Sequence, residues 1–171
     1  LSREVNACRP SLIPGLVDVC RRNSRLGRAG LGFFEIGRVQ RLEKGNPRED
    51  VRWAVALLAD GKAGWLASVD AGVFLQAKGI LEGVAGCVLA PELTFSAVPR
   101  EGFHPGRCAG VSVNGKEIGI LGEIHPEVAE SLDVPQGLCV FEIDVETLRS
   151  VCAEPRYRQT ARFPASSRDI A

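Results

Sequence analysis

Apolar residues recur at helical spacing near the start of the chain. Ile13, Leu16, Val17 and Cys20 follow one another at steps of three, one and three, which places them on one face of an α-helix. Ser11 precedes them, and its hydroxyl is suited to accept a hydrogen bond from an N–H group of the first turn. We therefore expect a helix that begins just after Ser11.

Two segments after this helix have the composition of β-strands. Residues 33–39 are rich in aromatic and β-branched side chains, and residues 51–58 are almost continuously apolar towards their end. Between them Asn46 and Pro47 are residues typical of turns. We expect two strands that are connected by a turn over residues 43–50.

A second helix and a tight hairpin follow. Residues 70–88 carry apolar side chains at helical spacing and begin with an aspartate that is suited to cap a helix. Further along, Asn114-Gly115 separates the strand-like segments 109–113 and 117–121. Asn-Gly is the strongest signal for a type I′ turn, because both central residues need a positive φ.

Shorter elements complete the predicted fold. Hairpins and helices that do not alternate regularly favour an α+β fold, in which an antiparallel β-sheet is flanked by helices. We expect these helices to cover one face of the sheet. The remaining elements are a strand over 93–98, a helix from His125 to Leu132, a strand over 138–143 and a helix over 145–151.

Length and composition describe a globular domain. The chain has 171 residues, of which 45% are apolar and 25% charged, enough for one large core or two small ones. It contains no run of eighteen apolar residues and no pattern of a cleavable leader, so we expect a soluble intracellular protein without a membrane contact. Because it contains no methionine, we expect a piece of a longer protein.

Charge is balanced over the whole chain but not along it. Basic and acidic side chains both number 21, which excludes the global basic field of a free-standing nucleic-acid binder. Residues 1–41 hold eight basic against three acidic side chains, residues 42–148 eight against sixteen, and residues 149–171 five against two. Basic ends around an acidic middle indicate different neighbours for different faces, and unevenly charged solvated surfaces explain the pattern equally well.

Few side chains are arranged for chemistry. The common phosphate-loop, dinucleotide and zinc-protease motifs are absent. His104 and Cys108 have the spacing of two metal ligands or of a base and a nucleophile, but a structural zinc site needs four ligands and nothing marks the thiol as activated. Glu123, Glu142 and Asp144 are candidates for an acid–base pair, although a solvent-exposed strand explains them better. We predict neither a metal site nor a catalytic residue.

Several runs of the sequence, taken in order, resemble one protein family. Each run is a weak signal alone, but their order and spacing over the chain are similar to the β subunit of bacterial phenylalanyl-tRNA synthetase, in its domain that resembles a class II synthetase catalytic core. The runs are LSRE at 1–4, RPSLIPGL at 9–16, FEIGRV at 34–39, FHPGR at 103–107, ILGEIHPEV at 120–128, and RFPA at 162–165 with RDIA at 168–171.

The resemblance implies a domain organisation and a role. Residues 1–154 would form the class II synthetase-like domain, and residues 155–171 a linker with the first residues of a truncated ferredoxin-like anticodon-binding domain. In that family this region is a non-catalytic structural and subunit-assembly domain, and the active site lies in the α subunit of an αβ pair of pairs. The cytoplasmic holoenzyme charges tRNA(Phe) with phenylalanine and uses ATP and magnesium, whereas no cofactor is expected in this fragment.

The resemblance also implies one half of an ATP site. A class II site binds the α-phosphate of ATP with an arginine of its second motif. The run 37–43 resembles that motif. It places Arg41 at the phosphate-binding arginine and Glu43 at its acidic neighbour.

The other half of the implied ATP site is degenerate. A class II site holds the γ-phosphate with an arginine of its glycine-rich third motif, which falls here on residues 141–148. Glu142 and Asp144 stand in place of glycines, and Thr147 stands in place of the arginine. Two carboxylates without the cation repel a triphosphate, so we expect ATP binding to be lost.

Apolar side chains of the first helix and the first strand are candidates for the contact with the α subunit. A catalytic-like sheet without a working site still presents the surface on which class II domains pair, and stable interfaces have apolar centres. Core packing explains the same side chains equally well. The candidate interface residues are Ile13, Leu16, Val17, Phe34 and Ile36.

An alternative function is direct RNA binding through the basic ends of the chain. Near its end, arginines interleave with the aromatic residues Tyr157 and Phe163, as they do on nucleic-acid-binding surfaces. The acidic middle of the chain would repel phosphate, which ranks this alternative second. The candidate contacts with tRNA are Arg156, Arg158, Arg162 and Arg168.

Overall fold

The structure is a computed structural model that describes residues 7–58 and 72–157. Within these two stretches, every expected helix and strand is present, and no helix is long and apolar enough to cross a membrane. In chain order the elements are α1 (Ile13–Arg25), β1 (Leu31–Glu43), β2 (Asn46–Leu58), α2 (Gly72–Cys87), β3 (Leu93–Ala97), β4 (Phe103–Val113), β5 (Lys116–Ile124), α3 (Pro126–Ser131), β6 (Cys139–Asp144) and α4 (Val145–Val151).

The six strands form one antiparallel sheet in the order β1-β2-β6-β5-β4-β3. Strand β6, the last one in the described part of the chain, therefore lies at the centre. Its residue Phe141 is fully buried, with Val55 of β2 opposite on one side and Leu121 of β5 opposite on the other. The antiparallel α+β fold expected from the sequence is confirmed.

Helices pack on both faces of the sheet. On one face α1 lies in a core cluster with Ala54 and Val140, and on the other α2 lies in a second cluster with Val55 and Phe141. Consecutive residues of a strand point to opposite faces, so the continuous apolar runs of β2 and β6 need cover on both. The expectation that helices cover only one face is wrong.

The turn between β1 and β2 is shorter than the segment 43–50 that the sequence suggested. Pairing continues to the last residue of β1, and the turn consists of Lys44 and Gly45, with φ values of 51° and 83°. Positive φ at both central residues is the geometry of a type I′ hairpin. Pro47 is tolerated because this end of β2 extends beyond β6 and, among the described residues, has no strand on its other side.

The second predicted hairpin is confirmed. Asn114 and Gly115 have φ values of 50° and 75° and connect β4 to β5. Val113 lies directly opposite Lys116, so the loop has two residues. Here the local turn chemistry was enough to place the point at which the two strands meet, although both strands extend further from the turn than predicted.

Side chains cap three of the helices. The Ser11 hydroxyl accepts a hydrogen bond from the N–H of Ile13 at 3.1 Å, as the sequence suggested. At the start of α3, the imidazole of His125 accepts one at 3.3 Å, and at the start of α4, Asp144 accepts one at 2.7 Å. The aspartate expected to cap α2 lies outside the described residues.

Candidate functional site

A polar cleft opens beside the start of α1. Its volume is about 380 Å³, and residues of α1, β1, β2, β5 and β6 contribute to its walls. Three arginines, Arg41, Arg52 and Arg100, and two glutamates, Glu117 and Glu142, provide its charged groups. A cleft of this size and polarity is the kind of place in which small ligands bind, so we treat it as the candidate site.

Asp50 lies beside this cleft and is buried among arginines. Its side chain is 8% exposed, and its carboxylate oxygens lie 2.8 Å from Nε of Arg41, 3.0 Å from Nε of Arg48 and 3.6 Å from Nη2 of Arg52. Arg48 donates a hydrogen bond to Oδ1, whereas Oδ2 accepts none from the described residues. Three positive groups offset the cost of burying one carboxylate.

Glu142 connects the centre of the sheet to the start of α1. Its Oε1 accepts hydrogen bonds from the backbone N–H of Leu12 at 2.6 Å and from the hydroxyl of Ser11 at 3.1 Å. A carboxylate at this place satisfies the N–H of the residue that precedes α1 and faces the positive end of the helix dipole. Glu142 therefore acts as a long-range helix cap.

The structure brings some of the five predicted ATP-site positions together. Arg41 and Glu142 line the cleft. Asp144 is connected to it through Arg52, whose Nη2 lies 3.3 Å from Oδ2 of the aspartate. Thr147 lies on α4, where its backbone N–H donates a hydrogen bond to Asp144.

The fifth position, Glu43, lies at the end of the β1–β2 hairpin. Nη1 of Arg48 donates a hydrogen bond to its Oε2 at 2.7 Å. This hydrogen bond lowers the pKa of the Glu43 carboxyl and raises the pKa of the Arg48 guanidinium. Neither side chain lines the cleft, and their pairing joins the two strands of the hairpin.

The predicted interface residues divide into two groups. Leu16 and Val17 are 4% and 6% exposed and belong to the core beneath α1, and Ile13 packs against the same core. Phe34 and Ile36 are 72% and 62% exposed on β1, which is an edge strand of the sheet. Among these five, Phe34 and Ile36 are therefore the ones that offer apolar surface to a partner.

One of the four arginines proposed to contact tRNA lies in the described part of the chain. Arg156 is exposed shortly after α4, and the neighbouring Tyr157 is 90% exposed. Arg158, Arg162 and Arg168 lie outside the described residues, as does most of the segment predicted to follow the first domain.

The other candidates for chemistry have local partners. Nδ1 of His104 accepts a hydrogen bond from the N–H of Gly106, and Glu123 lies 2.6 Å from Nε of Arg107. Cys108 is buried, and burial raises the pKa of its thiol, which disfavours the reactive thiolate. Within residues 7–58 and 72–157, no group of three or more His, Cys, Asp or Glu side chains is placed to hold a metal ion.

Sequence reasoning missed four charged residues of the cleft region, which are Asp50, Arg52, Arg100 and Glu117. The first two lie on one strand. A signal was present, because Arg48, Asp50 and Arg52 alternate just before the apolar run of β2 and so share one face of a strand. The alternation was overlooked because residues 43–50 were assigned to a turn. In the structure the turn has only two residues, so these charged residues lie within β2 and form one charged face.

The sequence is similar to β subunits of phenylalanine–tRNA ligase. The β subunit of Halalkalibacterium halodurans is 38% identical over 179 residues, and that of Moorella thermoacetica is 34% identical over 175 residues. Each alignment covers 100% of this chain and 22% of the relative. The chain thus spans about a fifth of the length of these curated relatives.

The fold is similar to that of a solved synthetase structure. PylSc of Desulfitobacterium hafniense, a pyrrolysyl tRNA synthetase, aligns with a TM-score of 0.61 at 16% sequence identity. The match covers 87% of this chain and 55% of the other. The expected similarity to the class II aminoacyl-tRNA synthetase fold is confirmed.

Family assignment follows from the sequence. The family described as "Phenylalanyl tRNA synthetase beta chain CLM domain" matches residues 1–145, most of the chain. This match agrees with the order of the runs that first indicated the resemblance. The chain belongs to the family of phenylalanyl-tRNA synthetase β-chain CLM domains.

Proposed function

We propose that this chain is a non-catalytic structural and subunit-assembly domain of a phenylalanine–tRNA ligase β subunit, and that the active site of the ligase lies in the α subunit. The names of its relatives support the ligase role. The holoenzyme would charge tRNA(Phe) with phenylalanine, and the α subunit would use the ATP and magnesium that this reaction needs.

The main support for the proposal is that the protein's own charged side chains occupy the cleft. Arg41 contacts Asp50, Arg52 lies between Asp50 and Asp144, and Glu142 caps α1. A triphosphate would meet the carboxylates of Glu117 and Glu142 and would have to displace ion pairs that Arg41 and Arg52 have already formed. The residues present therefore do not fit ATP.

The assembly role is supported by the edge strand β1. Phe34 and Ile36 expose large apolar side chains on a strand whose outer edge has no neighbouring strand in the described part of the chain. Such edges pair readily with other chains unless they are covered. We assign this edge to the contact with the α subunit.

The non-catalytic role is tested with Arg41→Gln in the holoenzyme. The variant removes the one implied ATP-binding arginine and leaves the cap at Glu142 in place. We expect kcat and the KM for ATP in aminoacylation to stay within about twofold of the wild-type values. A twofold change corresponds to about 0.4 kcal/mol in transition-state free energy. An increase of tenfold or more in the KM for ATP, with the subunits still assembled, would contradict the proposal.

RNA binding remains the second candidate function because Arg156 and Tyr157 are exposed side by side. Adjacent cationic and aromatic side chains suit a nucleic-acid backbone and its bases. In this case Arg156→Gln would weaken tRNA(Phe) binding by the holoenzyme and reduce its salt dependence. Under the proposed assembly role, the same substitution leaves both unchanged.

A further inference from the structure

Two of the three arginines of the cleft share an unusual internal partner. Oδ2 of Asp50 lies 2.8 Å from Nε of Arg41 and 3.6 Å from Nη2 of Arg52, yet it accepts no hydrogen bond within the described residues. These two contacts are therefore attractions between charges without the alignment of a guanidinium hydrogen bond. This oxygen neutralises Arg41 and, together with Asp144 at 3.3 Å, Arg52, but it does not satisfy their N–H donors.

The same arginines line a cavity that is open to solvent. Arg41 and Arg52 share the cleft of about 380 Å³ with Arg100. Of the two opposing acids, Glu142 is engaged by the first turn of α1, and Glu117 lies 3.7 Å from Arg100 and is largely exposed. Three arginines thus line one cleft, and the buried Asp50 beside it contacts two of them, Arg41 and Arg52.

Guanidinium groups bind carboxylate and phosphate oxygens with the same planar fork of donors. The carboxylate of Asp50 is therefore a chemical substitute for an external oxyanion. We propose that Arg41, Arg52 and Arg100 form a latent site for a phosphate-type oxyanion, which the Asp50 carboxylate keeps closed from within the fold. The inference rests on the proposed inability of the natural cleft to bind nucleotide.

Removing the charge of Asp50 is the direct test. Asp50→Asn keeps the shape of the side chain and frees Arg41, while Arg52 keeps its contact with Asp144. The probe is inorganic pyrophosphate, titrated calorimetrically into the full-length protein that carries this chain. We expect the variant to gain one pyrophosphate site per chain, with an affinity at least tenfold higher than that of the wild-type protein. The gain should disappear in Asp50→Asn combined with Arg41→Gln.

Glu49→Gln is the matched control. It removes one carboxylate from the same strand, but Glu49 pairs with Arg38 and does not line the cleft. It changes the net charge of the protein as much as Asp50→Asn does. Equal affinities in Glu49→Gln and Asp50→Asn, or no gained site in Asp50→Asn, would overturn the proposal.

A second measurement decides the question if Asp50→Asn folds poorly. The proposal predicts that pyrophosphate raises the refolding yield or the Tm of this variant more than sodium chloride of equal ionic strength does. No difference between the two salts would overturn it. Pyrophosphate binding by the wild-type cleft as tight as in Asp50→Asn would also overturn it, because Asp50 would then not close the site. The proposed function fails on a different result, a changed KM for ATP in Arg41→Gln, so the two failures are distinguishable.

Discussion

The side chain of Glu142 accepts a hydrogen bond from the backbone N–H of Leu12 at 2.6 Å, across 130 residues of sequence. The bond attaches the start of α1 to the central strand β6. In the resemblance to class II synthetases, Glu142 stands in place of a glycine of the ATP site. In this fold the glutamate at that place holds a helix on the sheet.

Replacing Glu142 therefore reduces the stability of the domain. Glu142→Ala removes both the acceptor and the negative charge at the start of α1, and we expect a loss of about 1–2 kcal/mol in the free energy of unfolding. Glu142→Gln keeps an acceptor and should lose less. Urea denaturation followed by circular dichroism measures both, with Glu154→Gln, an exposed site outside the helices and strands, as the control. A Glu142→Ala protein as stable as the control would contradict the cap.

Local signals predicted most of the fold. The Asn114-Gly115 turn needed only its own two residues, and the spacing of Leu16 and Val17 predicted the buried face of α1. Periodicity does not say what a buried face packs against, so the same spacing also suited a partner surface. For Leu16 and Val17, the structure shows the core to be their neighbour.

The site was harder to predict because its contacts are distant in sequence. The partner of Glu142 is 130 residues away, and no local pattern specifies such a pairing. Asp50 was missed for another reason. Lys44 is a non-glycine residue with positive φ, so the Lys44-Gly45 turn gave a weaker signal than the nearby Asn46-Pro47. Once the turn is placed correctly, the alternation around Asp50 follows from the period of the strand.

Two glycines should respond in opposite ways to alanine. A Cβ at Gly119 would lie 2.8 Å from Cδ1 of Ile143 and closer still to the carbonyl oxygen of Glu142, within the central strands. A Cβ at Gly79, on α2, meets none of the described residues within 4 Å. We expect Gly119→Ala to lose about 3 kcal/mol or more. Gly79→Ala should gain about 0.5–1 kcal/mol from its helix propensity.

Thermal and urea denaturation of the two variants measure this difference. Each protein serves as the control for the other, because the substitution is the same and only the surroundings differ. A Gly119→Ala protein within about 1 kcal/mol of the wild type would show that β5 and β6 separate more easily than their packing indicates.

Cysteine reactivity should follow burial. Burial raises the pKa of the Cys20 thiol to about 11 and that of Cys139 to about 12, whereas Cys8 and Cys87 are exposed. At pH 8 we expect iodoacetamide to modify Cys8 and Cys87 within minutes and to leave Cys20 and Cys139 unmodified until the protein unfolds. Mass spectrometry of peptides identifies the modified positions, and rapid labelling of Cys139 in the folded protein would contradict the buried sheet.

The same two thiols make the domain less stable in alkali. The unfolded state ionises them from about pH 8.5, while the folded state keeps Cys20 and Cys139 protonated to about pH 11 and 12. Their contribution to stability is complete below about pH 8.5 and is lost as the pH rises towards 11 and 12. Cys139→Ala should reduce the slope of stability against pH between pH 9 and 11. An unchanged slope would show that other groups determine it.

The edge strand β1 provides the test of subunit assembly. Phe34→Ser combined with Ile36→Ser removes two large exposed apolar side chains, so the folded β subunit should bind the α subunit at least tenfold more weakly if they lie at the centre of the interface. Leu26→Ser is the matched control, because Leu26 is 72% exposed, as Phe34 is, but follows α1 on another element. Analytical ultracentrifugation of the mixed subunits measures the affinity. Equal affinities in the double variant and the control, with both proteins folded, would place the α-subunit contact away from β1.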